Sequence, residues 1–307
     1  MNLLHTYLGA INNGLIWCFL ALGVYITFRL LDIADMTVDG SFATGGAVCA
    51  VCVTNGIHPL LAMLIAIIAG TICGAITGIL HTKFKIPAIL AGILTQLSLY
   101  SINLRILSGR ANLPLVGNDT LFATLSKSLN INRYYITFVI VLLMAIAAVA
   151  ILYWFFGTEV GSSIRATGNS EQMVKSLGID SGHMKVLGLM IANGLVAFSG
   201  SLNALYGQAT DVKVGQGAIV IALASIVIGE VVISSKKGNF ATRLTSIIIG
   251  SIIYRIIYAI VLQMGLNTDD LKMLSAIIVG IALALPVILK DRSQIAHYKK
   301  LTGKEIK

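Results

Sequence analysis

The chain has 307 residues, of which 57% are hydrophobic and only 11% are charged, with a mean hydropathy of +0.89. Soluble domains average roughly 45–50% apolar and about 25% charged residues, so this composition excludes an ordinary soluble enzyme or binding module. The formal charge of +9 and the pI of 9.4 do not indicate a nucleic-acid partner, because no basic face with interleaved aromatic residues accompanies them.

Apolar runs of roughly 20 residues, the length that crosses a ~30 Å hydrocarbon layer, recur from end to end. A backbone in lipid must satisfy its own hydrogen bonds, so these runs are expected to be helices. In chain order they cover residues 4–28, 39–53, 59–81, 87–107, 135–156, 186–206, 217–233, 244–264 and 271–289. The reading is an all-α polytopic membrane protein with about nine transmembrane helices, in a single membrane domain spanning 1–307. The first run is expected to be retained, since no basic segment precedes it and no small-residue cleavage site follows it. The second and seventh runs are short and flanked by polar residues, so each reads as re-entrant or as part of a broken helix.

Threading the runs places Lys83 and Lys85, then Arg165, Lys175 and Lys185, then Lys236, Lys237 and Arg243, and finally the basic tail 290–307 on one side. The excess of basic residues on cytoplasmic loops then predicts an outside N-terminus, a cytoplasmic C-terminus and an odd number of crossings. Arg105, Arg110, Lys127 and Arg133 are the exception, flanking the external stretch between the fourth and fifth runs. The four cysteines, Cys18, Cys49, Cys52 and Cys73, lie inside apolar runs, where a free thiol behaves as a small hydrophobe. Neither a metal site nor a catalytic site is expected: the Cys49–Cys52 pair has no histidine ligands nearby.

The longest cytoplasmic connection, residues 157–184, reads as structured. Asn169 can cap a short helix with Gln172 at the capping-box position, and Gly178 can end it. Met173, Val174 and Leu177 share one face of that helix by i, i+3, i+4 spacing. Such a face either enters the groove of a partner or lies against the protein's own base.

The run Ile164-Arg165-Ala166-Thr167-Gly168-Asn169, followed by Lys175-Ser176-Leu177-Gly178-Ile179, resembles the cytoplasmic coupling loop of permeases in the branched-chain amino-acid and ribose ABC importer family. The stretch from Leu31 to Phe42, and that from Ala222 to Glu230 after Gly215 and Gly217, agree with it. The resemblance covers nearly the whole chain and implies docking of residues 157–184 into a separate ATPase subunit, with Arg165, Asn169, Met173, Val174, Leu177 and Gly178 as the coupling residues. It also implies an extracytoplasmic substrate-binding lipoprotein, a second permease copy or homologue, and ATP with Mg held in the ATPase rather than in this chain. The acidic Asp35 and Asp39 depart from the branched-chain type, and the Leu31–Phe42 stretch looks most like permeases assigned to aromatic amino acids such as tryptophan or tyrosine.

Asp35-x-x-Val38 before Gly40, and Asp211-x-x-Val214 before Gly215 and Gly217, each join a long apolar run to a short one on opposite faces. That is the signature of an inverted repeat with discontinuous helices. Polar residues within the runs, Asp35, Thr37, Asp39, Ser41, Gln96, Asn103, Asn193 and Arg255, are candidates to line a translocation path, with Asn203 beside them; helix–helix hydrogen bonds account for the amides equally well. Arg255 lies in mid-span, where a charge is costly, so it is expected to face a cavity or a carboxylate, for which Asp35, Asp39 and Glu230 are candidates by residue type. Gly70, Gly74 and Gly78 put small residues on one helix face, for packing within the subunit or at a seam between copies. No Gly-x-x-x-x-Gly-Lys-[Ser/Thr] occurs, so the chain has no P-loop for ATP, and it is not expected to be an enzyme. The alternative function is a secondary transporter of a small polar solute.

Overall fold

The computed structural model describes residues 3–117, 120–129, 132–233 and 239–264, with scattered positions between 273 and 284. Its elements are α1 (Leu3–Tyr25), a π-helical turn continuing it (Ile26–Leu30), α2 (Thr37–Thr54), α3 (Pro59–Thr82), α4 (Ala88–Ile106), β1 (Asn112–Pro114), α5 (Leu121–Leu129), α6 (Arg133–Gly157), α7 (Glu159–Asn169), α8 (Glu171–Ser176), α9 (Ser181–Gly207), β2 (Ala209–Asp211), α10 (Ala218–Val232) and α11 (Phe240–Gln263). Eight of the expected spans are helices within a few residues of the predicted bounds. The ninth, 271–289, and the tail 290–307 fall largely or wholly outside the described residues.

Among the described residues, seven helices are long and apolar enough to cross a membrane, and α10 is shorter. At ~1.5 Å per residue, the 15 residues of α10 reach only roughly 22 Å, short of the hydrocarbon thickness. By length alone it does not complete a crossing, in keeping with a re-entrant or broken helix.

The centre of the bundle is α1, α2 and α9. In the most apolar stretch of α1, 83% of residues are buried, against 28% in α4. The outer helices turn apolar stripes outward: on α3, Leu61, Leu64, Ile68, Ile72, Ile76 and Ile79 are exposed, as lipid contact requires. The opposite face of α3 carries Gly70, Gly74 and Gly78. A Cβ at any of them would press on the α9 backbone, at Asn193, Leu189 and Val186 respectively. These glycines therefore pack within the subunit and bring the two helix backbones close, which is how packing holds in a medium that gives no hydrophobic drive between helices.

The contact pattern has a reciprocal form. α3 packs on α9 as α11 packs on α1, α2 packs on α9 as α10 packs on α1, and α2–α3 matches α10–α11. The pairing of α1-α2-α3 with α9-α10-α11 is what an inverted repeat requires.

The stretch between α4 and α6 holds structure that the apolar pattern did not foretell. β1 pairs antiparallel with β2, Asn112 facing Asp211, and α5 buries Phe122 edge-on to Tyr206. Arg133, one of the cations on the unexpected side, donates from Nη2 to the Tyr206 carbonyl at 2.6 Å. A cation at a helix C-terminus complements its dipole, so this charge is held by α9 as well as by the membrane surface.

Replacing Gly74 by Leu should drive the side chain into the α9 backbone, where overpacking costs typically about 1–3 kcal/mol or more. The thermal midpoint of the detergent-purified protein should fall several degrees. Gly157→Ala, at a position with nothing within 4 Å of the added carbon, should leave it unchanged.

Candidate functional site

Two polar assemblies interrupt the apolar bundle. The first lies where α2 begins. Asp35 accepts from the Thr37 backbone N–H at 2.9 Å through Oδ1 and from Asn193 Nδ2 at 2.7 Å through Oδ2. Asn193 Oδ1 in turn accepts from Ser41 Oγ at 2.6 Å. Thr37 Oγ1 lies 2.6 Å from Thr77 Oγ1, which donates to Thr95 Oγ1 at 2.9 Å. These side chains come from the 31–36 turn, α2, α3, α4 and α9, and all are buried. Each polar atom that leaves water must find a partner, and here five segments supply one another. Removing Asn193 alone would strand both a carboxylate oxygen and a hydroxyl.

Asp39 sits one turn further along α2 and reaches across to α10. Its Oδ2 accepts from Gly217 N at 2.9 Å and its Oδ1 from Ile219 N at 3.0 Å. The carboxylate thus caps the first turn of α10 while lying in the first turn of α2. Gly215 makes the approach possible, because a Cβ there would overlap the Asp39 carbonyl. The short helices therefore start side by side inside the bundle, although the turns before them belong to opposite ends. Asp35 and Asp211 each also close the same local turn, accepting from the N–H two residues on (Thr37 and Lys213).

Of the path candidates, Asp35, Thr37, Ser41 and Asn193 are brought together, and Asp39 adjoins them. Gln96 is half-buried and Asn103 is buried with its Oδ1 unbonded; neither joins the network. Arg255 is paired with none of its three candidate acids. Asp35 and Asp39 are engaged as above, Glu230 is bonded to Arg29 at 2.6 Å, and the Arg255 guanidinium instead lies 4.0 Å from the centre of the Trp17 ring. Asn203 accepts from Trp17 Nε1 at 3.4 Å. Thr77 and Thr95 had escaped notice, because a threonine in an apolar run is compatible with bonding its own helix backbone.

The second assembly is the 157–184 connection, which holds two helices rather than one. α7 continues through Asn169, so Asn169 cannot be the cap of the next helix; Ser170 is, accepting from Met173 N. Glu171 follows Ser170, and the predicted Asn169–Gln172 capping box does not form. The other end is as expected: Gly178 has φ +79°, Gly178 N bonds Lys175 O and Ile179 N bonds Val174 O, the two bonds of a Schellman stop.

The apolar face of α8 also divides. Val174 is fully buried against the protein's own base, whereas Met173 is 49% and Leu177 68% exposed. Glu171 fastens α8 to α9, accepting from Lys185 Nζ at 2.6 Å and Ser181 Oγ at 3.0 Å, with Lys175 at 2.8 Å. Asn169 stays exposed. Arg165 donates to the Phe156 carbonyl at 3.4 Å and lies over Phe240, so it ties α7 to the ends of α6 and α11. Gly168 sits so close to the Leu30 carbonyl and Leu31 that no Cβ would fit. A cleft of about 480 Å³ between α7, the 31–34 turn and the α3–α4 connection is lined by Asp32, His81, Gly168, Glu171 and Lys185 among others.

Lys175 and Lys185 hold the Glu171 carboxyl down at about 2 from its ordinary value of 4.5. A depressed carboxylate stabilises the folded loop fully above about pH 4.5 and loses that contribution as the pH falls toward 2. A spin label at Leu177 should therefore stay immobilised at pH 5 and loosen below about pH 3. In Glu171→Gln it should be loose already at pH 7, and equal mobility in the two proteins at pH 7 would refute the clamp.

Comparison with known proteins adds the remaining constraint. Residues 6–285 match the family described as branched-chain amino acid transport system / permease component. The chain is 42% identical over 272 residues, 89% of its length and 88% of the relative's, to a tyrosine transport system permease protein of Clostridioides difficile. It is 32% identical over 292 residues, 92% of its length and 98% of the relative's, to protein RP368 of Rickettsia prowazekii. With the ribose import permease protein RbsC of Escherichia coli K12 it shares 25% identity over 260 residues, 85% of this chain and 77% of that one. A multi-pass bundle with broken central helices and a structured 157–184 connection, matched along nearly its whole length, belongs to the ABC-type permease family of branched-chain amino-acid and ribose transport systems.

Proposed function

We propose that the chain is the membrane-spanning subunit of an ATP-driven importer of an aromatic amino acid, in a bacterial plasma membrane. The observation that carries the coupling part is α8: a clamped, capped helix whose only free apolar side chains, Met173 and Leu177, point away from the protein. A separate ATPase subunit, holding ATP and Mg, receives them. The aromatic substrate rests on the 42% identity with a tyrosine transport system permease. An extracytoplasmic lipoprotein delivers it, and a second permease copy or homologue completes the path beside the Asp35–Ser41 turn.

The orientation has support from three of the four basic groups. The α3–α4 connection carrying Lys83 and Lys85 flanks the same cleft as Gly168 and Lys185, and the start of α11, ahead of Arg243, packs on Phe156 beside Arg165. Gathered at one end, they favour that end as the cytoplasmic one, in keeping with the expected outside N-terminus.

Burying Met173 and Leu177 yields at best roughly 1.5–3 kcal/mol each, less than association alone consumes. Further contacts from α7 and the flanking loops must share the binding. Replacing both residues by Asp puts charge into an apolar groove. The double variant should insert and remain monodisperse, yet lose substrate-stimulated ATP hydrolysis at least about tenfold or release the ATPase. If it kept both its ATPase subunits and stimulated hydrolysis, the coupling assignment would fail and a secondary transporter would become the better reading.

A further inference from the structure

Arg255 is a cation within a membrane-spanning helix to which the described residues supply no anion. Its α11 helix is fixed to α1 one turn earlier, where Ser251 Oγ donates to the Gly14 carbonyl at 2.9 Å. The guanidinium therefore has a defined seat, 4.0 Å from the Trp17 ring centre and 5.5 Å from that of Tyr258. Trp17 is itself held by Asn203 and by Phe42, whose ring centre is 4.9 Å away. Arg255 Nε is enclosed and has no hydrogen-bond partner, and among the described residues no carboxylate lies within ion-pair range of it.

Aromatic faces hold a cation without neutralising it or satisfying its N–H groups. An ionised side chain at such depth marks a ligand or ion path by default, and a guanidinium presents a planar fork that matches a carboxylate with two parallel bonds. The residue as a whole is half-buried rather than sealed, and the rings that flank it are of the kind against which an aromatic solute packs. Resting on the amino-acid reading above, we propose that Arg255 binds the carboxylate of the transported solute, with Trp17 and Tyr258 forming the aromatic wall of that site.

The chain has two tryptophans, and Trp154 is 71% exposed on the outer face of α6, so Trp154→Phe leaves Trp17 as the only indole reporter. The full chain in nanodiscs, in this background, is titrated with phenylalanine, with 3-phenylpropionate, which keeps the carboxylate and lacks the amine, and with phenethylamine, which has the reverse. Trp17 emission should respond to the first two at concentrations at least about tenfold lower than to the amine, the factor that loss of one charge-assisted pair produces. Arg255→Met should abolish the difference, and Arg255→Lys should retain part of it. Equal response to the amine and the carboxylate, no response to either carboxylate, or an unchanged response in a folded Arg255→Met protein would overturn the proposal. The ligand series on unsubstituted Arg255 decides the matter even if Arg255→Met fails to fold. An anion from lipid headgroups would be exposed by a response that changes with anionic lipid content and ignores both carboxylates. The wider importer reading is judged separately, by ATP-driven uptake in liposomes containing the ATPase. Failure of that uptake with a normal Trp17 titration would sink the importer and keep the carboxylate site.

Discussion

The Asp39 carboxylate, shared by the first turns of α2 and α10, is the contact on which the rest of the architecture depends. A helix that begins inside a membrane exposes N–H groups with no water to receive them. Asp39 accepts from two of those on α10, at Gly217 and Ile219, and its negative charge suits the positive ends of both helices. A leucine there would leave donors unpaired at the least forgiving depth of the protein. The short helices thus need each other, and Gly215 on one and the small residues around Asp39 on the other are the packing consequence.

From this junction a short chain of contacts leads to the surface. Asp35 and Asn193 tie the start of α2 to α9. The turn that carries Asp35 runs back to Leu31 and Leu30, and these lie directly against Gly168 of α7. Beyond α7 come Ser170, Glu171 and the exposed Met173 and Leu177 of α8. Every step is a close backbone approach or a short charged bond, and none is a flexible linker. A force on α8 accordingly reaches the buried polar network through about three packed contacts, the kind of contiguous route through which coupling travels.

Much of this could be read from residue order, and the failures have physical causes. Eight of the spans were legible because lipid enforces both length and helicity, and so was the shortness of α10. The Gly70-Gly74-Gly78 face was legible as packing. The cap of α8 was misplaced by one residue because Asn169 and Ser170 are both good caps, and only the persistence of α7 decides between them. The face of α8 was misread because spacing shows which residues are neighbours and not which side meets the protein; Val174 turned inward while Leu177 stayed out. Glu171 with Lys175 at i+4 was a visible ion pair, whereas Lys185 fourteen residues on was not a local signal. For Arg255, charge arithmetic offered three acids, and it could not see that backbone N–H groups, an amide and Arg29 had claimed them. The β1–β2 pairing and α5 are held by contacts between distant segments, which no local pattern encodes.

The account's central claim is that α7, α8 and the 31–36 turn move as one body against the far end of the bundle. Electron-spin distance measurements on the assembled transporter test it directly, with labels at exposed Asp32 and Leu177 for the internal distance and at Leu177 and Lys213 for the distance across the bundle. Between the nucleotide-free and ATP-bound states, the first distance should hold constant within experimental width while the second shifts. A first distance that changes as much as the second would mean that α8 moves independently of the turn, and the route from α8 to the buried junction would be wrong.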